Sequence, residues 1–179
     1  MKKNIILAIT FSLIFLLSGC SSAPTRTVPV PAVPLTPQLK MGTLNFSLSE
    51  NHKANITYHT QQEMHAFILS QIKADLNEKY ILTDSPEADI ININIEYVRQ
   101  FIGRKLTDSL GYPTLNYSIE IVRKTKVIYR LEKKHQAFNA GIMPNIEVLF
   151  GVMRKKSHEK IFMKSIANTI SSQIAQLLK

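Results

Sequence analysis

Ile91, Ile93, Ile95 and Tyr97 alternate with Asn92, Asn94 and Glu96. Apolar residues at every second position lie on one side of an extended chain. Residues 89–98 therefore predict a strand with one buried face and one face of amides and a carboxylate. A sheet built around such a strand is expected to be covered on one side only. The same alternation recurs twice. Leu44, Phe46 and Leu48 predict a strand over 43–48, and Leu115, Tyr117, Ile119 and Ile121 predict another over 114–123. Arg123-Lys124-Thr125-Lys126 reads as a hairpin turn, with a return strand from Val127 towards Phe138. Tyr80 to Thr83 reads as a short strand before the Asp84-Ser85-Pro86 turn.

Two segments change to helical spacing. Thr60-Gln61-Gln62-Glu63 matches a capping box, in which two side chains satisfy free amides at a helix start. Met64, Phe67, Ile68, Ile72 and Leu76 follow on one face, predicting a helix over 61–79. Phe162, Ile166, Ile170, Ile174 and Leu178 recur every fourth residue and predict a closing helix, with Ser157 as its N-cap. The expected fold is a two-layer α/β sandwich. A mostly antiparallel sheet of about four to five strands carries two amphipathic helices on one face.

The first twenty residues follow a different plan. Lys2 and Lys3 precede an apolar stretch from Ile5 to Leu17, too short to span a bilayer as a helix. Leu16-Leu17-Ser18-Gly19-Cys20 then holds the only cysteine and resembles the lipobox of bacterial lipoproteins. The resemblance implies that residues 1–19 are a signal peptide removed on export. It also implies that Cys20 becomes an acylated N-terminus, carrying palmitate-type chains as a membrane anchor. Ser21, not Asp, follows the cysteine, which in that class favours the outer membrane with the protein facing the periplasm. With Cys20 acylated, no thiol remains for a disulfide, a Cys-bound metal or a Cys nucleophile. Residues 20–39 hold five of the eight prolines and no glycine, and read as a tether. In polyproline form it would extend about 3.1 Å per residue. Alternatively, Val28, Val30, Val33 and Leu35 lie down on the domain as an extended edge. Residues 40–179 are expected to form one domain.

Charge is distributed unevenly. Residues 21–98 hold five basic and eight acidic residues, whereas 99–164 hold fourteen and five. An exported location argues against nucleic acid as the acidic partner. Arg104, Lys105, Arg123, Lys124 and Lys126 form a candidate basic edge. Tyr97 and Tyr117 sit at strand spacing and are expected in the core with a hydroxyl at the rim. No signature of catalysis is present. His52, His59 and His65 lack the i, i+4 spacing that puts two metal ligands on one helix face. Neither a G-x-S-x-G elbow nor a phosphate-binding glycine loop occurs. Asp84, Glu87 and Asp89 beside a proline read as caps and solvated charge. The expectation is a protein that is not an enzyme and takes no cofactor or metal.

The order of lipobox, proline-rich tether, strand, helix over 61–79, Ala88-Asp89-Ile90-Ile91-Ile93 and a closing helix with Ile166-Ala167-Asn168-Thr169-Ile170 resembles YajG-type enterobacterial lipoproteins. That resemblance implies an α/β fold and an envelope location, and brings no catalytic motif. Residues 140–156 are the part that fits least. Ile142, Met143, Ile146, Val148, Leu149, Phe150, Val152 and Met153 make an apolar run, followed by Arg154-Lys155-Lys156. Either the run is core, or it is a surface patch of the kind that marks protein or membrane contact. Leu149, Phe150, Arg154, Lys155 and Lys156 are the candidate partner-contact residues. Two functions follow as expectations. One is a non-enzymatic accessory subunit docking an envelope protein. The other is a module that binds cell-wall glycan or anionic lipid through a basic face.

Overall fold

The computed structural model describes residues 29–103, 107–138 and 140–179. Among these, the chain runs β1 (Leu39–Glu50), α1 (Gln61–Glu78), β2 (Asp89–Arg99), β3 (Thr114–Arg123), β4 (Lys126–Ala137), α2 (Ile142–Leu149) and α3 (Lys156–Leu177). The four strands form one sheet in sequence order. β1 pairs parallel to β2 across the α1 connection, and the β2–β3 and β3–β4 pairs are antiparallel. The result is the expected two-layer α/β sandwich, with one short helix, α2, beyond the two that were predicted.

The alternation in β2 fixes which face is covered. Ile91, Ile93, Ile95 and Tyr97 are buried, together with Leu115, Tyr117, Ile119 and Ile121 of β3. They meet Met64, Ile68, Ile72 and Leu76 of α1 and Met163, Ile166, Ile170 and Ile174 of α3, all buried in one cluster. On the open face, the polar residues bond laterally. Asn45 donates to Asn94, Asn94 to Ser118, and Asn116 to Glu96. The outer edge of β1 is occupied by α1 side chains: Gln61 Oε1 accepts from Leu48 N, and a His65 ring nitrogen lies 2.9 Å from Leu44 O. An edge strand guarded in this way is a poor template for pairing with another chain.

Local signals set the ends of the elements. Thr60 accepts from Glu63 N and Glu63 bonds back to Thr60 N, so the capping box that opens α1 is complete. β3 and β4 are joined by Lys124 and Thr125, with Lys124 at a φ of 57°. Residues 80–83 contribute a single parallel bridge, Leu39 to Leu82, rather than a strand. α3 begins earlier than Ser157 suggested: its N-cap is Lys155, which makes no side-chain cap bond. β1 also begins at Leu39, four residues before the predicted start.

The chain is packed on the N-terminal side of β1. Leu39 is fully buried, and Leu35 packs against the core. Thr36 and Asp89 bond reciprocally: Thr36 N donates to Asp89 Oδ2, and Asp89 N donates to Thr36 Oγ1. Arg123 donates to both Asp89 oxygens at 2.7 and 2.8 Å and to Pro34 O at 2.7 Å. This clasp sits at the pole of the sheet where β1 and β2 begin and the β3–β4 hairpin turns.

Candidate docking surface

α2 lies at the opposite pole, where β1 and β2 end and α1 and α3 start. Its face pattern is inverted. Ile142, Met143, Ile146 and Leu149, with Phe150 at the C-cap, all point outward and are exposed. Ile142 and Leu149 are each 80% exposed and Phe150 is 74% exposed. These positions recur at i, i+1, i+4, i+7 and i+8, so they form a single helical stripe. No polar side chain interrupts it. The inward side holds Val148, which is buried, and the partly buried Pro144, Asn145 and Glu147. A soluble helix ordinarily turns its apolar stripe inward. The alternative that the whole run is core is therefore corrected: only Val148 and Met153 are buried.

A satellite core holds α2 in this orientation. Val148 and Met153 pack with Tyr58, Phe101, Leu110 and Phe162, apart from the main cluster. The Tyr58 hydroxyl donates to Asp108 O and lies 3.1 Å from Met153 O. Burial pushes that hydroxyl up to a pKa of about 12, so it stays a donor. Leu110 N donates to Met153 O, tying the 107–113 loop to the segment after α2. The helix end is a Schellman turn. Val152 N bonds Glu147 O, Gly151 N bonds Val148 O, and Gly151 takes a φ of 66° that a side chain would resist.

Beneath the satellite core lies a buried ion cluster. Glu159 of α3 is fully buried. Its Oε1 accepts from Arg99 Nε at 2.7 Å, and its Oε2 accepts from His59 N at 2.9 Å and lies 3.0 Å from His59 Nδ1. Arg99 also donates to Glu50 Oε2 and to His59 O. Burial opposes the Arg99 charge, but the Glu159 carboxylate outweighs it and raises the guanidinium above its usual range. The cluster fastens the ends of β1 and β2 to the starts of α1 and α3. Both Glu159 oxygens face donors of the protein, which ties these element ends together.

The other candidate residues are dispersed. Arg154 and Lys155 are exposed beside the apolar stripe. Lys156 is engaged: its Nζ lies 2.6 Å from Glu63 Oε1, and that contact draws the Glu63 carboxyl down to about 2. Arg123 does not belong to a free basic edge, because Asp89 holds it from both oxygens. Asp89 is correspondingly no solvated charge. It is buried, and the Arg123 guanidinium holds its carboxyl below the usual range. Lys124 and Lys126 are exposed at the hairpin, on the clasp side of the domain. Cys20, Arg104 and Lys105 lie outside the described residues. Among the described residues no three His, Cys, Asp or Glu side chains are placed to hold a metal. His52 meets Asp108, His59 meets Glu159 and His65 meets the β1 edge.

Sequence reasoning passed over Glu159 and Arg99. The signal was present: Arg99 continues the 91-93-95-97 row, and Glu159 stands three and seven residues before Phe162 and Ile166 on the buried stripe of α3. Charges at core positions imply partners, since an unpaired buried charge is costly.

No protein-family profile matches the chain, and no curated protein matches it in sequence. Among solved structures, the chain is similar to a minor lipoprotein from Acinetobacter baumannii at 16% identity and a TM-score of 0.37, over 74% of this chain and 91% of that one. It is similar to a Xanthomonas campestris protein of the DUF330 family at 11% identity and a TM-score of 0.32, over 82% and 96% of the two chains. It is also similar to the rare lipoprotein B of Shewanella oneidensis at 14% identity and a TM-score of 0.23, over 73% and 98%. These superpositions are loose, and no property of those proteins is transferred to this chain.

Proposed function

We propose that this protein is a lipid-anchored lipoprotein of the bacterial envelope, of the kind its YajG-type pattern suggests. In this reading Cys20 holds it in the outer membrane facing the periplasm, and it serves as a non-enzymatic accessory or docking subunit of an envelope protein assembly. The observation that carries the reading is the outward apolar stripe of α2, placed at the pole opposite the clasp where the described chain enters the domain. Moving one large apolar side chain from water into a contact is worth roughly 1.5–3 kcal/mol, so two or three suffice to decide docking. The alternative of a glycan- or lipid-binding basic edge is weakened, because Arg123 is committed to Asp89.

Two measurements test the proposal. In cells fed a clickable fatty acid, the wild-type chain takes up label and the Cys20→Ser variant accumulates as unlabelled precursor. Equal labelling of the two would remove the anchor. Mild crosslinking in cells yields a stoichiometric adduct for the wild type that is absent when Leu149→Asp and Phe150→Asp are combined in a folded protein. An unchanged crosslinking profile would place docking elsewhere.

A further inference from the structure

We infer that the occupant of the α2 stripe is a protein carrying an apolar groove rimmed by carboxylates, rather than the anchoring bilayer or a second copy of this chain. The inference rests on the docking reading above and deepens it by assigning the partner's chemistry.

Three observations converge. The first is shape. The exposed apolar side chains occupy one narrow stripe on two turns of helix, anchored by Ile142, Ile146, Leu149 and Phe150. Such a stripe matches the mode in which a helix lays i, i+4 and i+7 anchors into a groove. The second is charge. Arg154 and Lys155 are exposed directly after the stripe, and neither forms an ion pair among the described residues. Of the nearby carboxylates, Glu63 is committed to Lys156, Glu50 to Arg99, and Glu159 to Arg99 and His59. Glu147 of α2 is partly buried, with its Oε2 shielded from water. The two exposed cations outnumber it, so the rim carries net positive charge. Two copies meeting stripe to stripe in a two-fold arrangement would bring like charges together, whereas a carboxylate rim would neutralise them. The third is position. The clasp of Pro34, Thr36, Asp89 and Arg123 fixes the point of chain entry at the far pole. β2 runs eleven residues between the poles, about 36 Å at roughly 3.3 Å per residue. The stripe therefore does not lie beside the point where the chain from the anchor enters the domain.

The test uses the full-length lipoprotein in cells, with the photoreactive residue p-benzoylphenylalanine in place of Phe150 and, as control, in place of Thr125 at the far pole. The expected result is one discrete protein adduct from position 150 and none from 125. Combining Arg154→Glu with Lys155→Glu lowers that adduct about tenfold or more, as losing close interfacial charge pairs does. The crosslinked peptide, identified by mass, has Asp or Glu beside it, and reversing those carboxylates to Lys restores the adduct to the charge-reversed lipoprotein. An adduct that ignores the charge reversal overturns the acidic rim while leaving docking intact. An adduct of twice the chain mass assigns the stripe to a second copy, and crosslinking only to radiolabelled phospholipid assigns it to the bilayer. Each of those overturns the inference, and the lipid result overturns the docking reading with it.

Discussion

Gly42 shows how one residue sets a register. The β1–β2 pairing shifts between Met41 and Leu44, and Asn92 fills the irregularity. Asn92 Oδ1 accepts from Thr43 N at 2.9 Å and from Thr43 Oγ1 at 3.1 Å. A Cβ on Gly42 would stand 2.3 Å from that oxygen and 2.6 Å from Ile90 Cγ2. Gly42→Ala is expected to cost about 1–3 kcal/mol, the usual penalty for forcing an extra carbon into filled space. Urea unfolding measures it, and an unchanged midpoint would mean the bulge relaxes freely. Asp89 makes a second residue-scale case. Its folded-state carboxyl is lowered by Arg123 and by Thr36. A lowered group contributes stability above its unfolded value of about 3.9, and loses that contribution as pH falls through the folded value. Asp89→Asn should therefore destabilise by about 2–3 kcal/mol at neutral pH, because it leaves Arg123 with a neutral partner. The gap between variant and wild type should close as pH drops below about 4. A gap independent of pH would assign the loss to packing.

At the scale of elements, what could be read from the sequence is what is encoded nearby. The 89–98 alternation and the Thr60–Glu63 box each lie within a few residues, and β2 and α1 appear within one residue of expectation. The contacts that were missed join distant positions. Asp89 and Arg123 are separated by 34 residues, and each looks like surface charge on its own. Arg99 and Glu159 are 60 apart. Whether the apolar run at 142–153 faces in or out depends on which other residues fill the space beneath it. Tyr58, Phe101, Leu110 and Phe162 do so with only Val148 and Met153 from the run, and the remaining apolar side chains are left outside. The Arg99–Glu159 pair governs how four element ends meet, so its loss should be felt across the pole. Glu159→Gln leaves Arg99 with Glu50 as its carboxylate partner, and loss of the charge-assisted bond to Glu159 costs about 1.5–3 kcal/mol. Denaturant unfolding reads the loss. A cost below about 1 kcal/mol would mean water reaches the guanidinium and the pair behaves as a surface one.

For the whole molecule, the two poles divide the work. One pole holds the incoming chain through hydrogen bonds and a bidentate ion pair, and it buries Leu39 and Leu35 against the main core. The other carries an apolar helix on a small separate core and leaves that helix's stripe to water. Stability and the exposed stripe are thus separable, which gives the fold a sharp test. Leu149 and Phe150 contribute nothing to either buried cluster, so replacing both with Asp should leave the far-ultraviolet circular dichroism unchanged and shift unfolding by no more than about 0.5 kcal/mol, as for surface positions generally. Val148 sits one residue away and faces inward, so Val148→Asp should cost several kcal/mol by burying an unpaired carboxylate, and should loosen the 107–113 loop that hangs on Met153. Proteolysis at that loop distinguishes the variants: the Val148 protein is cut quickly and the double variant resists as the wild type does. If the double variant is cut as fast as the Val148 one, the stripe is needed to hold α2 down and is not free to meet a partner.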